Sequence, residues 1–355
     1  MRVFFIFLFA FLSVITSFAQ KDSYVPLNIK KAYERGTRSF DGMPGINYWQ
    51  NHAKYDIKVN LDPYTKLLEG TEDIVYYNYS PDSLSQIVIR LYHNIFKPNA
   101  VRDFYLNEKS LNAGVVIKKI EIREVEINQN DNALVRNTGT NLSLKLTTKL
   151  GPNNSISLTI DWSTIIPDME TIRFGSYDST SMFIAYWYPQ IAVYDDIDGW
   201  DKRDYTGILE MYNDFNDFNV AFTVPVGFQI WSTGVWQNPD AILNQKYLER
   251  YKLAWKSDDV VRIFEKEDLN ANNIYKAKDG LQTFKYKALN VPDFAFGISD
   301  HYLWDAVSFA PDKRSDRRVY CAAVYKESSK DFIDVANYAK ESLKYFSYEM
   351  PSLHP

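Results

Sequence analysis

Four histidines, one cysteine and a run of aspartates are the residues of this 355-residue chain best suited to chemistry. His52, His93, His301 and His354 stand far apart, and none lies three to five residues from another. Zinc ligands sharing one helix face need that spacing, so neither an HExxH nor an HxH pair is present. Each histidine by itself is expected to be a surface or hydrogen-bonding residue. The stretch GISDH, from Gly297, begins like a nucleophile elbow but carries His301 where the turn needs glycine. No Walker loop and no GxGxxG occurs. Cys321 lies in the apolar run VYCAAV, where a thiol is expected to be buried and inert. These residues supply no catalytic and no metal-binding set.

The acidic stretch YDDIDGWDKRD, with Asp195, Asp196, Asp198, Gly199 and Asp201, has the opening composition of a calcium loop. An EF-hand needs a bidentate glutamate at its twelfth position. Counted from Asp196 that position is Gly207, so the EF-hand pattern fails and a solvated loop is the default. A calcium site of another kind at 195–201 stays open. Glycoside hydrolysis needs a matched carboxylate pair, and among 45 acidic residues none stands out.

Bulk composition narrows the class. Net charge is −5, which implies neither a nucleic-acid footprint nor a polybasic membrane patch. One cysteine excludes an internal disulfide. Aromatic residues make up 16% of the chain, and they favour strands and large packed sheets. The N-terminus has the three parts of a secretory signal. Arg2 is followed by an apolar run over residues 3–15, and Ser17 and Ala19 are the small residues before Gln20. The run is shorter than the ~20 residues a spanning helix needs. Cleavage is expected near Ala19, giving a secreted or periplasmic chain with no stable membrane insertion.

Periodicity then places the elements. Residues 20–46 are polar, broken by Gly42, Pro44 and Gly45, and are expected to be a loosely ordered lead-in. YDIKVNLD and TEDIVYYNYS alternate apolar with polar on either side of a turn that opens at Asp62–Pro63 and closes at Gly70. Further alternating runs cover 115–127, 141–150 and 155–163. Residues 187–205 have no clean period and predict a long surface loop. Strand returns at 218–234, then a short helix and a strand at 238–255. Residues 256–285 are charged and broken. Two strands follow, within 291–309 and 317–325. Ser328 and Asp331 fit a capping box for a final helix. Its apolar stripe is Phe332, Val335, Ala336, Ala339, Leu343 and Phe346. The fold class is mainly β with an α+β C-terminal part.

Several stretches together resemble one family. Residues 48–96, from YWQNHAKYDIKVNLD to LYHNIF, resemble the opening of the N-terminal domain of the zinc aminopeptidases related to aminopeptidase N and leukotriene A hydrolase. They look most like its secreted bacterial branch. AYWYPQIAVYDDIDGWD, NDFNDFNVAFTVPVGFQIWSTG and NVPDFAFGISDHYLWDA follow in the family's order. Around Glu210 the branch shows Gly-Glu-Phe-Tyr, whereas this chain reads Leu209, Glu210, Met211, Tyr212, so no amine-holding role passes to Glu210.

With the signal peptide (1–19) and the lead-in (20–46) read from the residues themselves, the resemblance implies a saddle-like antiparallel β-sandwich domain (47–255). The start of a thermolysin-like catalytic domain follows (256–355). A full-length relative would bind zinc through HExxH and a later glutamate, and cleave peptides at their free amino ends. This sequence is expected to stop short of those residues, at a proline turn spanning Pro351 and Pro355, and to be inactive alone without a cofactor. The alternative is a secreted, non-catalytic β-sandwich module that binds peptide or glycan.

Overall fold

The computed structural model describes residues 24–168, 173–270, 273–312 and 314–350. The signal segment, His354 and the proline turn at 351–355 lie outside the described residues. Strand outweighs helix, 41% against 16%, so the mainly β expectation holds.

The alternating sequences become strands with one buried face. In β1 (His52–Asp62) every second side chain from Ala53 to Leu61 is buried. It pairs antiparallel with β2 (Leu67–Asn78). Asp62 shapes the turn, its carboxylate accepting from the N–H of Tyr64 at 2.9 Å and from Thr65 Oγ1 at 2.8 Å. β2 pairs with β8 (Asn154–Ile165), and β8 with β4 (Val116–Ile122). On the other side β1 runs parallel to β14 (Asn216–Pro225), which pairs with β18 (Leu281–Val291). Short end strands β16 (Val235–Trp236) and β5 (Val125–Glu126) complete an eight-stranded sheet. β18 belongs to it although it follows residue 255, so this sheet draws on both sides of that position.

Two four-stranded sheets accompany it. One contains β15 (Gln229–Ser232), β19 (Phe296–Ser299), β10 (Met182–Ile184) and β9 (Phe174–Ser176). The other contains β11 (Gln190–Ile191), β3 (Leu84–Arg90), β7 (Asn141–Leu150) and β6 (Val135–Thr138). Their common core is aromatic. Trp187 packs against Trp162, Tyr188, Phe222 and Phe296, and its indole N–H donates to Phe294 O at 2.7 Å. Gly70 makes room for Trp162: a Cβ there would lie 2.7 Å from the indole ring.

A third sheet, β17 (Val261–Phe264), β20 (Leu303–Phe309) and β21 (Val319–Tyr325), carries the final helix, Val335–Tyr348. Val335, Ala336 and Ala339 pack with Val307, Cys321 and Tyr325. Cys321 is buried there, as its apolar surroundings predict, and burial pushes its thiol pKa up.

Five expectations need correction. Residues 187–193 are not a surface loop: Trp187, Tyr188, Gln190, Ile191, Ala192 and Val193 are all buried, and a segment buried on every side shows no period. Gln245–Ala254 is a helix rather than a strand, with Tyr247, Leu248, Tyr251 and Ala254 on its buried side. Residues 256–285 hold β17 and the start of β18. Leu27–Arg35, inside the lead-in, is a helix closed by Gly36 in the left-handed conformation. The final helix begins at Val335, past the expected Ser328–Asp331 capping box (Asp331 falls in a 3-10 turn), and neither Ser329 nor Asp334 makes a side-chain cap. The outer half of its apolar stripe, Leu343 and Phe346, is exposed.

The described residues form two compact units, 24–50 with 194–200, and the others.

Candidate functional site

The first unit contains most of the acidic loop. Tyr194–Asp195 and Gly199–Trp200 form a two-stranded hairpin, with Gly199 at φ +73° in the turn. Asp195 Oδ1 accepts from the N–H groups of Ile197 and Asp198 at 3.0 and 2.8 Å. Asp198 accepts from Asn28 Nδ2 at 3.3 Å. Asp196 is buried and held by a fork: Arg38 Nη2 reaches Oδ1 at 2.6 Å and Arg38 Nε reaches Oδ2 at 3.0 Å. Thr37 Oγ1 donates to Oδ2 at 2.6 Å. Burial by itself would raise the Asp196 pKa, but Arg38 and Thr37 outweigh it and the carboxyl titrates below its ordinary value. The loop's central carboxylate is therefore an arginine partner that ties the lead-in segment to the hairpin. In the second unit Asp201 Oδ1 accepts from the Arg203 N–H. Among the described residues no group of three or more His, Cys, Asp and Glu is placed to hold a metal ion.

We expect Asp196→Ala to open this clasp at a local cost of about 2 kcal/mol, the scale of a hydrogen-bonded charge pair. Limited trypsin digestion checks it. Cleavage at Arg35 and Arg38 should accelerate several-fold while the global unfolding midpoint stays nearly unchanged.

The histidines are scattered, as their spacing implies. His52 lies on β1, with Nδ1 2.9 Å from Phe215 O and Nε2 3.2 Å from Asp217. His93 is fully buried against the rings of Phe96 and Phe174, and burial lowers its pKa to about 4. That corrects the surface expectation for His93: the 3-10 turn over Tyr92–Phe96 faces the core on every side.

His301 sits in a polar network in the second unit that the sequence did not disclose. Its Nδ1 is 2.6 Å from Asp300 Oδ1, and its Nε2 is 3.3 Å from both Ser181 Oγ and Asp178 Oδ2. The order Ser–His–Asp has the connectivity of a nucleophile with its base. Ser181 is fully buried, however, and its hydroxyl lies 2.9 Å from Ser299 Oγ, so a substrate carbonyl has no approach to it. Lys326 closes the network on Asp178 at 2.6 Å. Burial would raise the Asp178 pKa, but Lys326, the Thr180 N–H, Ser181 and His301 bring it down to about 2. This arrangement fixes the loops beside β10, β19 and β21.

Those loops border an open cleft of about 440 Å³. Tyr177, Phe183, Trp231, Tyr302 and Phe332 contribute aromatic rings to it, and Lys326 a cation. The cleft has the size and character of a pocket for an apolar side chain with a polar flank. Glu210 is elsewhere, exposed, and paired with Arg173 at 2.5 Å.

No protein-family model matches the sequence, and no curated protein matches it. Solved structures do. The chain is similar to the M1 zinc metallopeptidase of Deinococcus radiodurans, with TM-score 0.45, 11% identity, 86% of this chain covered and 55% of that one. It is also similar to Legionella pneumophila aminopeptidase A in complex with aspartic acid, with TM-score 0.46, 10% identity, 90% of this chain covered and 29% of that one. A variant of the Deinococcus enzyme bound to a Tyr-Ser-Ala substrate gives TM-score 0.45 and 11% identity. The chain thus spans about half the length of the Deinococcus enzyme. No helix among the described residues is long and apolar enough to cross a membrane.

Proposed function

We propose that this chain is the N-terminal β portion of a secreted zinc-dependent metalloaminopeptidase-like protein, which hydrolyses peptides at their free amino ends. The ordered set of aminopeptidase-like stretches carries this reading. YDIKVNLD and TEDIVYYN form the β1–β2 hairpin. WYPQI is the buried segment around Trp187, and NDFNVAFTVPVGFQIWS is β14 and β15. NVPDFAFGISDHYLWDA leaves β18, passes through β19 and enters β20, so one continuous stretch links the large sheet to the sheet under the final helix. The histidine spacing supports the second half of the proposal, that zinc ligands and general base come from residues outside this sequence. Aminoacyl-anilide hydrolysis by the purified chain, with added zinc, tests it. No turnover is expected. Chelator-sensitive turnover would overturn the assignment of chemistry elsewhere.

The aromatic cleft favours a second reading, a secreted module that binds apolar peptide segments or glycans. Saturable quenching of tryptophan fluorescence by a peptide or glycan, lost in Trp231→Ala, would support it.

A further inference from the structure

Glu72 lies in the middle of β2, on the buried face of the eight-stranded sheet, and is fully enclosed. Ile57 on β1 and Ile160 on β8 stand directly opposite it. Gly70 and Ile74 flank it on the same face. Neither carboxyl oxygen has a hydrogen-bond partner. The titratable groups that sense this carboxyl are Tyr55 from β1 and, across the core, Tyr188; Asp293 acts on those two tyrosines. On β8 the buried-face neighbours are Leu158, Ile160 and Trp162, none of them titratable in this range. Asp73, the next residue on β2, points to the exposed face. No lysine or arginine pairs with the carboxyl, and Asp73 is the one charge that acts on it appreciably.

We propose that Glu72 makes this fold a pH-sensitive device, most stable in acid and progressively loosened as pH rises towards the point at which the buried carboxyl gives up its proton. An ionised carboxylate without a partner in an apolar seat is strongly disfavoured, so the group stays neutral well above its ordinary range. Burial is the leading cause of that upward shift, and Asp73 adds to it.

The sign follows from linkage. A group whose folded pKa lies above its unfolded value of 4.5 stabilises fully below that value, and the contribution is lost as pH rises through the folded pKa. Within that span the folded-to-unfolded ratio falls about tenfold per pH unit for each such proton. Three other enclosed groups act at lower pH: Asp305, raised by burial, and Asp293 in the same direction as Glu72, and His93 against it. Asp293, raised to about 6 by burial, weakens the fold as pH climbs from 3.8. His93, lowered from 6.5 to about 4 by burial, strengthens it over nearly the same range. Above about pH 6.5 Asp293 has titrated, the opposing slope of His93 fades out by about pH 7.5 as the unfolded imidazole loses its proton, and Glu72 is left beyond that. Cys321, raised from 9.0, adds only near the top of the range.

The test is urea unfolding of the 355-residue chain at steps between about pH 6.5 and 8.5, wild type against Glu72→Gln. Above about pH 7.5 the wild-type folded-to-unfolded ratio should fall by up to about tenfold per unit, and E72Q should show no such fall. A flat wild type, or an E72Q protein that keeps the wild-type slope, overturns the proposal. Should E72Q not fold, infrared difference spectra of the wild type decide the matter. A protonated-carboxyl band that persists above neutral pH and then disappears supports the proposal, and its absence at about pH 7 overturns it.

Discussion

Trp187→Ala should lower global stability by about 3–5 kcal/mol, the scale of emptying a core tryptophan site. Trp187 is fully buried, touches four aromatic rings and satisfies the carbonyl of Phe294. Removing it leaves both a cavity and an orphaned carbonyl. The loss is a large share of the roughly 5–15 kcal/mol a domain has in hand. Urea denaturation should show a lower midpoint with an unchanged slope. Trp187→Phe should recover more than half of the deficit, because the ring contacts return while the indole N–H does not. If Trp187→Ala unfolds at the wild-type midpoint, the aromatic core does not bind the sheets together.

Asp268→Ala should cost about 3 kcal/mol, towards the low end for breaking a buried ion pair. Asp268 accepts from Lys246 Nζ at 2.5 Å, Arg250 Nη1 at 2.6 Å, Tyr247 Oη at 3.1 Å and the Glu265 N–H at 3.1 Å. It thereby fastens helix Gln245–Ala254 to the segment after β17. The cost stays moderate because the Lys246 side chain is half exposed and can return to water. Burial would raise the Asp268 pKa, but Lys246, the Glu265 N–H, Arg250 and Tyr247 outweigh it and hold it below 3.8. Its contribution is therefore present above about pH 4 and lost as pH falls through the folded value. Asp268→Asn should accordingly show a shallower loss of stability on acidification than wild type. An acid limb of equal steepness in both proteins would remove Asp268 from that role.

How much of this was legible in the sequence depends on which side of each element faces water. β1, β2, β7, β8 and β14 each have one wet face, so their alternation appears in the residues themselves. The segment 187–193 has none, and its sequence shows no rhythm although it lies at the centre of the core. Helix Gln245–Ala254 is rich in tyrosine and leucine, which disguised a helical spacing as strand composition. Leu27–Arg35 follows a proline and ends at a glycine, both ordinary helix boundaries, but its polar character obscured it.

The side-chain clusters were hidden for another reason. Arg38 meets Asp196 across 158 positions, and Ser181 meets His301 across 120. Pairings over such distances follow from sheet topology, which a single sequence does not display. Glu72 is the exception. It falls in the same alternating phase as Ile74 and Tyr76, and that phase is the buried one. The signal was present in TEDIVYYN: an acid on the inward register of a strand.

We have proposed that this β portion serves a zinc aminopeptidase whose reacting groups lie elsewhere in the polypeptide. The measurement that bears on it most directly is the intact mass, peptide map and zinc content of the native protein that contains this sequence. The account predicts a longer polypeptide with an HExxH peptide downstream, about one tightly held zinc per chain, and chelator-sensitive release of N-terminal residues. A native protein with neither HExxH nor zinc that still binds peptide or glycan would contradict it.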